Sequence, residues 1–418
     1  MRYRALALSF LAAAAVAQEP GEPRAVTDAQ AALGRGDYWQ AYHILDRAAF
    51  DPTGKPLDDY TYQMWRQTAP MVTNELPVDA LVQDKAPPPP DVTAVARVRQ
   101  ATARPALAEI VRRARATTIV IINEAHYSPR DRAFALEVAR ALRPLGYRIL
   151  AAETFDTGGG KTQPASMTRL AADHIVHRST GYYTNDPVFA GFVRQALDLG
   201  YRPVSYESTP AQTARTTSIQ GREDGQAENL VTTIFAHDPK AKVLIHVGHG
   251  HVKEVPYRDS DGTDYVMMAA RLKQLTGIDP LTIDQTMLTD LQPSARATYP
   301  VAAAKAGTRD VVLFEGDQPL LVGRWPGVDL QVVHPVRRYR YGRPAWLAAL
   351  GGHPVPIPAA LLPTSGELLV QAFAADAPAD AVPIDQVLVR AGVPTPSLML
   401  PRGRVRYATQ PPIVSGTP

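Results

Sequence analysis

Four short segments carry side chains able to exchange protons or bind a metal: Asn123-Glu124-Ala125-His126, Ala151-Ala152-Glu153, Tyr206-Glu207 and His246-Val247-Gly248-His249-Gly250-His251. Together they hold three glutamates and four of the ten histidines in the chain, a density that scattered surface residues would not give. Glu124 and His126 are two apart, as are His249 and His251, so on an extended backbone each pair points to one face. A neutral imidazole and a carboxylate can take up a proton near neutral pH when their surroundings tune them. They are also the nitrogen and oxygen ligands of zinc, manganese or iron where thiolates are absent, and this chain has no cysteine. Spacing leaves both chemistries open. Glu124, His126, Glu153 and His249 would serve as catalytic groups; His126, Glu153, His246, His249 and His251 would serve as metal ligands. Gly248 and Gly250 are expected to permit a tight backbone turn.

These segments share a position relative to the expected elements. Apolar runs predict strands near 118–123, 149–153, 203–207, 242–247 and 281–287, and helical periodicity predicts helices near 130–143, 187–199, 222–236 and 264–276. A further helix over 105–116 feeds the first strand. The strands are continuously apolar rather than alternating, as a sheet covered on both faces requires, and every crossover is long enough for a parallel connection. The expected fold class is α/β, a mainly parallel sheet covered by helices. Ligands bind outside the carboxyl ends of such strands, and the four segments sit at those ends.

The flanks differ in character. Arg2 and Arg4, an apolar stretch from Ala5 to Val16 and the small-residue motif Ala15-Val16-Ala17 predict a signal peptide over 1–17, hence a periplasmic or secreted protein. That stretch is too short to span a bilayer, so no membrane span is expected after cleavage. Residues 18–84 read as a small helical N-terminal region, in which Ala31 to Leu45 resembles one tetratricopeptide-type helical hairpin used as a packing cap. Pro87-Pro88-Pro89-Pro90 marks a linker over 85–92, the α/β domain follows over 93–345, and 360–418 reads as a small C-terminal β domain of sandwich type. Strands are also expected at 311–314, 320–322 and 330–333. With 44 basic against 41 acidic residues in 418, the charge is too nearly balanced to favour a nucleic-acid partner.

Several other signals carry less. Gly158-Gly159-Gly160-Lys161-Thr162 lacks the leading glycine of a phosphate loop, and no Gly-x-Ser-x-Gly elbow exists for a serine nucleophile. His174 and His177 read as surface residues sharing a helix face, and His334 and His353 as loop residues. Tyr182 and Tyr183 would be packing residues, aromatic substrate contacts or a tyrosinate for haem iron.

Ile122-Asn123-Glu124-Ala125-His126 with Arg132, then Ile149 to Glu153, the helix signal Gly221-Arg222-Glu223, and Leu244-Ile245-His246-Val247-Gly248-His249-Gly250-His251 together resemble the erythromycin esterase, ChaN-like and TIKI group. The resemblance covers about residues 117–255, and it departs at Asn123, where glycine is usual. It implies an exported hydrolase of an ester, amide or peptide bond, with a divalent metal in some members and none in others. It equally implies a haem- or iron-binding protein without turnover; a non-catalytic envelope interaction protein is the third reading. Carried onto this chain, His126, oriented by Glu124 or Glu153, would activate water or bind metal. His249 or His251 would polarise the scissile carbonyl or complete the metal site, Arg222 would hold an anionic group, and Arg222 with Glu207 would contact a small-molecule or peptide substrate.

Overall fold

The computed structural model describes residues 22–76, 89–160, 164–258, 262–323 and 327–411. The leader 1–17, positions 85–88 of the linker and Lys161-Thr162 of the glycine-rich loop lie outside the described residues.

Three amphipathic helices come first: α1 (Arg24–Arg35), α2 (Tyr38–Ala49) and α3 (Asp59–Thr73); α4 (Val92–Gln100) follows the linker. Gly36, at φ +89°, closes α1 in the left-handed conformation that glycine adopts without a side-chain clash, and Asp58 caps α3 by accepting the Thr61 N–H.

The central sheet contains β1 (Thr102–Pro105), β2 (Ile119–Glu124), β3 (Ile149–Ala152), β4 (Arg202–Val204), β5 (Val243–Gly248), β6 (Leu281–Asp284), β7 (Val311–Glu315) and β8 (Leu330–Val333). Their spatial order is β1-β7-β8-β6-β2-β5-β3-β4. The six strands from β8 to β4 run parallel, whereas β7 is antiparallel to both β1 and β8. The fold is therefore α/β, as the continuously apolar strands predict.

Strand alternation sorts the two faces. Val120, Ile122, Leu150, Ala152 and Leu244 pack against α5 (Ala106–Ala114), α6 (Pro129–Leu142), α7 (Ala165–Asp173) and α8 (Pro187–Asp198). Ile119, Ile121, Ile149, Ala151, Val243 and Ile245 pack against α9 (Ser218–Leu230) and α10 (Met268–Thr276). With both faces covered, every residue of β2 and β5 is buried. Register then places Glu124 beside Gly248, and both Ile122 and Ala152 beside His246. Glu124 and His246 consequently project from the same face, the one covered by α6 and α8.

Some boundaries differ from expectation. β4 ends at Val204, which leaves Tyr206 and Glu207 in the connection beyond it. No strand forms at 320–322. A turn at Gly316, with φ +60°, instead brings Gln318–Pro319 straight back onto β7. His334 follows β8 in a loop, as expected, but the loop is buried there: the residue is 4% exposed and bonded to Asp310 at 2.6 Å. His177 is likewise buried, between Asp173 and Asp380, because α7 ends at Asp173 and the chain turns inward. His353 opens a strand rather than sitting in a loop.

At the C-terminus, β9 (His353–Val355) pairs with β12 (Leu398–Leu400), and β10 (Glu367–Ala374) lies between β11 (Asp385–Arg390) and β13 (Val405–Gln410). Val370, Ala372, Val387 and Val389 meet Leu398 and Leu400 between the two layers. The opposite face, with Leu369 and Leu388, packs on the N-terminal helices. Gln410 accepts from Trp39 N at 2.9 Å, and Gln386 donates to the Met71 carbonyl at 2.6 Å. The two ends of the chain thus form one packed layer. Leu369→Ala should cost about 2–5 kcal/mol, the range for emptying a buried leucine site. Urea denaturation followed through Trp39 and Trp65 in that same cluster measures it.

Candidate active site

The four segments converge at the carboxyl ends of β2, β3 and β5. Glu124 is the last residue of β2, and Arg132, one turn into α6, reaches back to it with Nε at 2.6 Å and Nη2 at 3.0 Å. The same guanidinium donates to Asp186, the N-cap of α8, at 2.7 Å. These three side chains are at most 2% exposed. Burial alone would raise the Glu124 carboxyl, but Arg132, the His126 hydrogen bond and His246 hold it well below the usual carboxylate range.

His126 follows the strand end, and its Nδ1 lies 2.9 Å from Glu124 Oε1. An ionised carboxylate accepts, so Nδ1 carries a proton and donates it to Glu124. The ring stacks on Tyr183 at 4.1 Å between centroids and meets His249 edge-on at 5.2 Å. Its far edge lies against Gly248: a β-carbon there would fall 2.3 Å from His126 Cε1, 2.5 Å from Nε2 and 3.1 Å from Glu153 Oε2. Gly248 has φ −84°, so the position requires glycine for space rather than for an unusual turn. That corrects the expected role of the glycines; the left-handed conformation falls on His249 itself, at φ +31°.

Asn123 accounts for that conformation. Its Nδ2 donates to the His249 carbonyl at 2.9 Å and to Asp284 at 2.8 Å, while its Oδ1 accepts the Gln285 N–H at 2.7 Å. The departure from glycine is thus a strut from β2 across β6 to the histidine turn. The His249 ring has no hydrogen bond or ion pair among the described residues, which leaves its nitrogens open to a ligand.

Glu153, immediately after β3, accepts the Gly248 N–H at 2.5 Å and pairs with Arg222 of α9. Arg222 also binds Glu207 at 2.6 Å, and Gln226 donates to Glu207 at 2.9 Å. His251 lies 3.4 Å from Glu153 and is held at Nδ1 by Glu223 at 2.7 Å. Burial would raise Glu153, yet His251, Arg222 and His126 bring its carboxyl well below the usual range. Burial opposes the charge on His251, but Glu223 and Glu153 outweigh it and raise that imidazole. Burial pushes His246 down to about 4 and, with His126 and Arg66, His249 to about 3. His246 sits edge-on to Phe189 and Phe192, with Nε2 buried and unbonded 3.7 Å from Glu124.

The residues singled out by the sequence therefore meet, in two connected groups. Glu124, His126, His246 and His249 surround β2 and β5, while Glu153, Glu207, Arg222 and His251 form the adjoining group. Arg222 is engaged by two carboxylates and, through Nη1, by His251 Nε2 at 3.1 Å, so it positions Glu153 and Glu207 rather than standing open to a substrate. Sequence reasoning assigned no role to Arg132, Asp186, Tyr183 as a stacking partner, or the close approach at Gly248. The spacing of Arg132, eight residues after Glu124 at a helix start, was the available signal for the first.

No protein-family description and no curated protein matches this chain. Among solved structures, one titled "Crystal structure of bacterial protein toxins" is 14% identical, with a TM-score of 0.35 over 62% of this chain and 57% of that one. Another titled "Bacterial protein toxins" is 12% identical, with a TM-score of 0.32 over 59% and 55%. RRSP, a MARTX toxin effector domain from Vibrio vulnificus, is 14% identical, with a TM-score of 0.33 over 62% and 55%. The chain spans a little over half the length of each, and likenesses this slight assign no activity.

The donor set does not fit the metal that the resemblance allows. Among the described residues no three His, Asp or Glu side chains are disposed to share a cation. Glu124 and Glu153 are each matched to a guanidinium, so a divalent ion would sit beside two permanent positive charges. Haem fits no better. Tyr183 stacks on His126, its hydroxyl lies 3.4 Å from Gln67, and burial with Glu153 nearby raises its phenol well above the usual value, away from tyrosinate. Burial also raises Tyr182.

Two outcomes follow. Gly248→Ala should displace His126 and Glu153 together, giving a changed His126 imidazole resonance by NMR with the fold retained by circular dichroism. For pH, the unfolded chain protonates His246 near 6.5 whereas the folded chain waits until about 4, so this residue's stabilisation is lost as pH falls through that window. His246→Leu should therefore flatten the decline in unfolding free energy between those values, by on the order of 1 kcal/mol per pH unit, in urea titrations at a series of pH values.

Proposed function

We propose that this protein is an exported hydrolase of an ester, amide or peptide bond, working through a Glu/His site without a metal. The observation that carries the reading is the Glu124–His126 contact at 2.9 Å, in which the carboxylate is kept ionised by a buried arginine. Such a carboxylate fixes the tautomer and orientation of an imidazole and stabilises the imidazolium that forms when it acts as a base.

His126 Nε2 removes a proton from water as the water oxygen bonds to the substrate carbonyl carbon. The resulting imidazolium is stabilised by Glu124 on one side and by the ionised Glu153 across Gly248. His249, held neutral by burial and open at its nitrogens, donates its N–H to the developing oxyanion. When the tetrahedral carbon collapses, the bond to the leaving oxygen or nitrogen breaks and His126 returns the proton to it. Atoms balance with water as the sole co-reactant.

The resemblance of the 117–255 segment to the erythromycin esterase group supports the same reaction class. The leader-like first seventeen residues support export, and among the described residues no helix is long and apolar enough to cross a membrane.

The test uses purified protein with a para-nitrophenyl ester, a macrolactone and unfolded casein, each with and without chelator. At least one should be hydrolysed in the presence of chelator. His126→Ala should lower kcat/KM by about 10²–10⁴-fold, the usual worth of a positioned base, with the melting temperature little changed. Activity that chelator removes and zinc restores, a Soret band in the purified protein, or no turnover of any of the three would overturn the reading.

A further inference from the structure

The N-terminal helices do more than pack. α3 lies over the site: Gln67 contacts the Tyr183 hydroxyl at 3.4 Å, and the guanidinium of its neighbour Arg66 lies over two aromatic rings. The guanidinium carbon is 5.0 Å from the centre of Tyr62 and 4.7 Å from that of Tyr127. Tyr127 is in turn 5.9 Å from the His249 ring, which lies 5.2 Å from His126. A chain of contacts thus leads from Arg66 directly to the two histidines.

What sets Arg66 apart is its lack of an acceptor. Among the described residues no hydrogen bond or ion pair engages it, and its Nε is buried without a partner. The other arginines of the site are matched: Arg132 to Glu124 and Asp186, Arg222 to Glu153 and Glu207. A desolvated N–H without an acceptor is unfavourable, and a guanidinium presents a planar set of donors suited to two oxygens of one anion. The faces of Tyr62 and Tyr127 favour the cation there.

We infer that Arg66 is a substrate-binding residue that recognises an anionic group, a carboxylate or phosphate, on the molecule whose bond is broken beside His126 and His249. The inference rests on the hydrolase reading of the site, and it assigns the specificity to the N-terminal helical region. The substrate is then an acid or phosphate ester carrying its charge a few bonds from the scissile carbonyl. Arg222, buried among carboxylates, does not compete for that charge.

Two measurements keep this inference separable from the hydrolase reading. In the first, isothermal titration with inorganic phosphate and with adipate asks whether the full chain binds an anion at all. Binding should weaken about tenfold in Arg66→Gln and be partly recovered in Arg66→Lys, with phosphate and adipate distinguishing the two anion classes. Absence of binding to either anion, or equal affinity in Arg66→Gln, overturns the inference whatever the activity. In the second, the para-nitrophenyl monoester of adipic acid is compared with its methyl-capped neutral counterpart. The kcat/KM ratio of the charged over the neutral ester should fall at least tenfold in Arg66→Gln, through KM. An unchanged ratio overturns the inference. Arg66-dependent anion binding without turnover of either ester supports the inference and counts against the hydrolase reading.

Discussion

A guanidinium with 1% of its side chain exposed lies between two carboxylates at the end of a parallel sheet, and the site is arranged around it. Arg132 belongs to the first turn of α6, Glu124 to the last position of β2, and Asp186 to the cap of α8. Three elements are therefore locked in angle and register by hydrogen-bonded charges as well as by apolar packing. Removing one member of such a group leaves the others buried and uncompensated, which costs about 3–5 kcal/mol. The same contacts keep Glu124 ionised, and that ionised carboxylate sets the tautomer of His126. Structure and chemistry share one interaction.

A second group repeats the logic on the other side of Gly248. Glu153 and Glu207 share Arg222, and Glu223 holds His251, so each carboxylate has a cationic or N–H partner before any ligand arrives. Between the groups a glycine without a side chain lets His126 and Glu153 approach the β5 backbone. The polar interior is thus largely satisfied; His246 Nε2 and Arg66 Nε are among its unbonded atoms. One faces a buried carboxylate and two phenylalanines, the other faces the tyrosines beside the histidines.

The terminal regions are joined to this arrangement through packing. The C-terminal sheet covers one side of α1–α3, and α3 covers Tyr127, Tyr182 and Tyr183 on the other. An element at residues 367–374 therefore braces a helix that roofs a site built from residues 123–251. Loss of that bracing would change the surroundings of His126 without touching a residue of the sheet.

Much was legible in the sequence because it rests on local rules. Continuously apolar runs such as Val243-Leu244-Ile245 specify strands buried on both faces, and long helical crossovers specify parallel pairing. In such a sheet, residues just after the strands must gather at one edge, which is why Glu124, His126, Glu153 and the later histidines could be grouped from their positions alone. Tertiary structure decided what each of them touches. Whether Arg222 meets a substrate or two glutamates, whether Gly248 serves a turn or a close approach, and whether His334 is exposed depend on distances between segments far apart in the chain. The covering of the site by α3 is of the same kind: it comes from side-chain packing of that helix on Tyr127, Tyr182 and Tyr183, far along the chain, which no periodicity within the helix encodes.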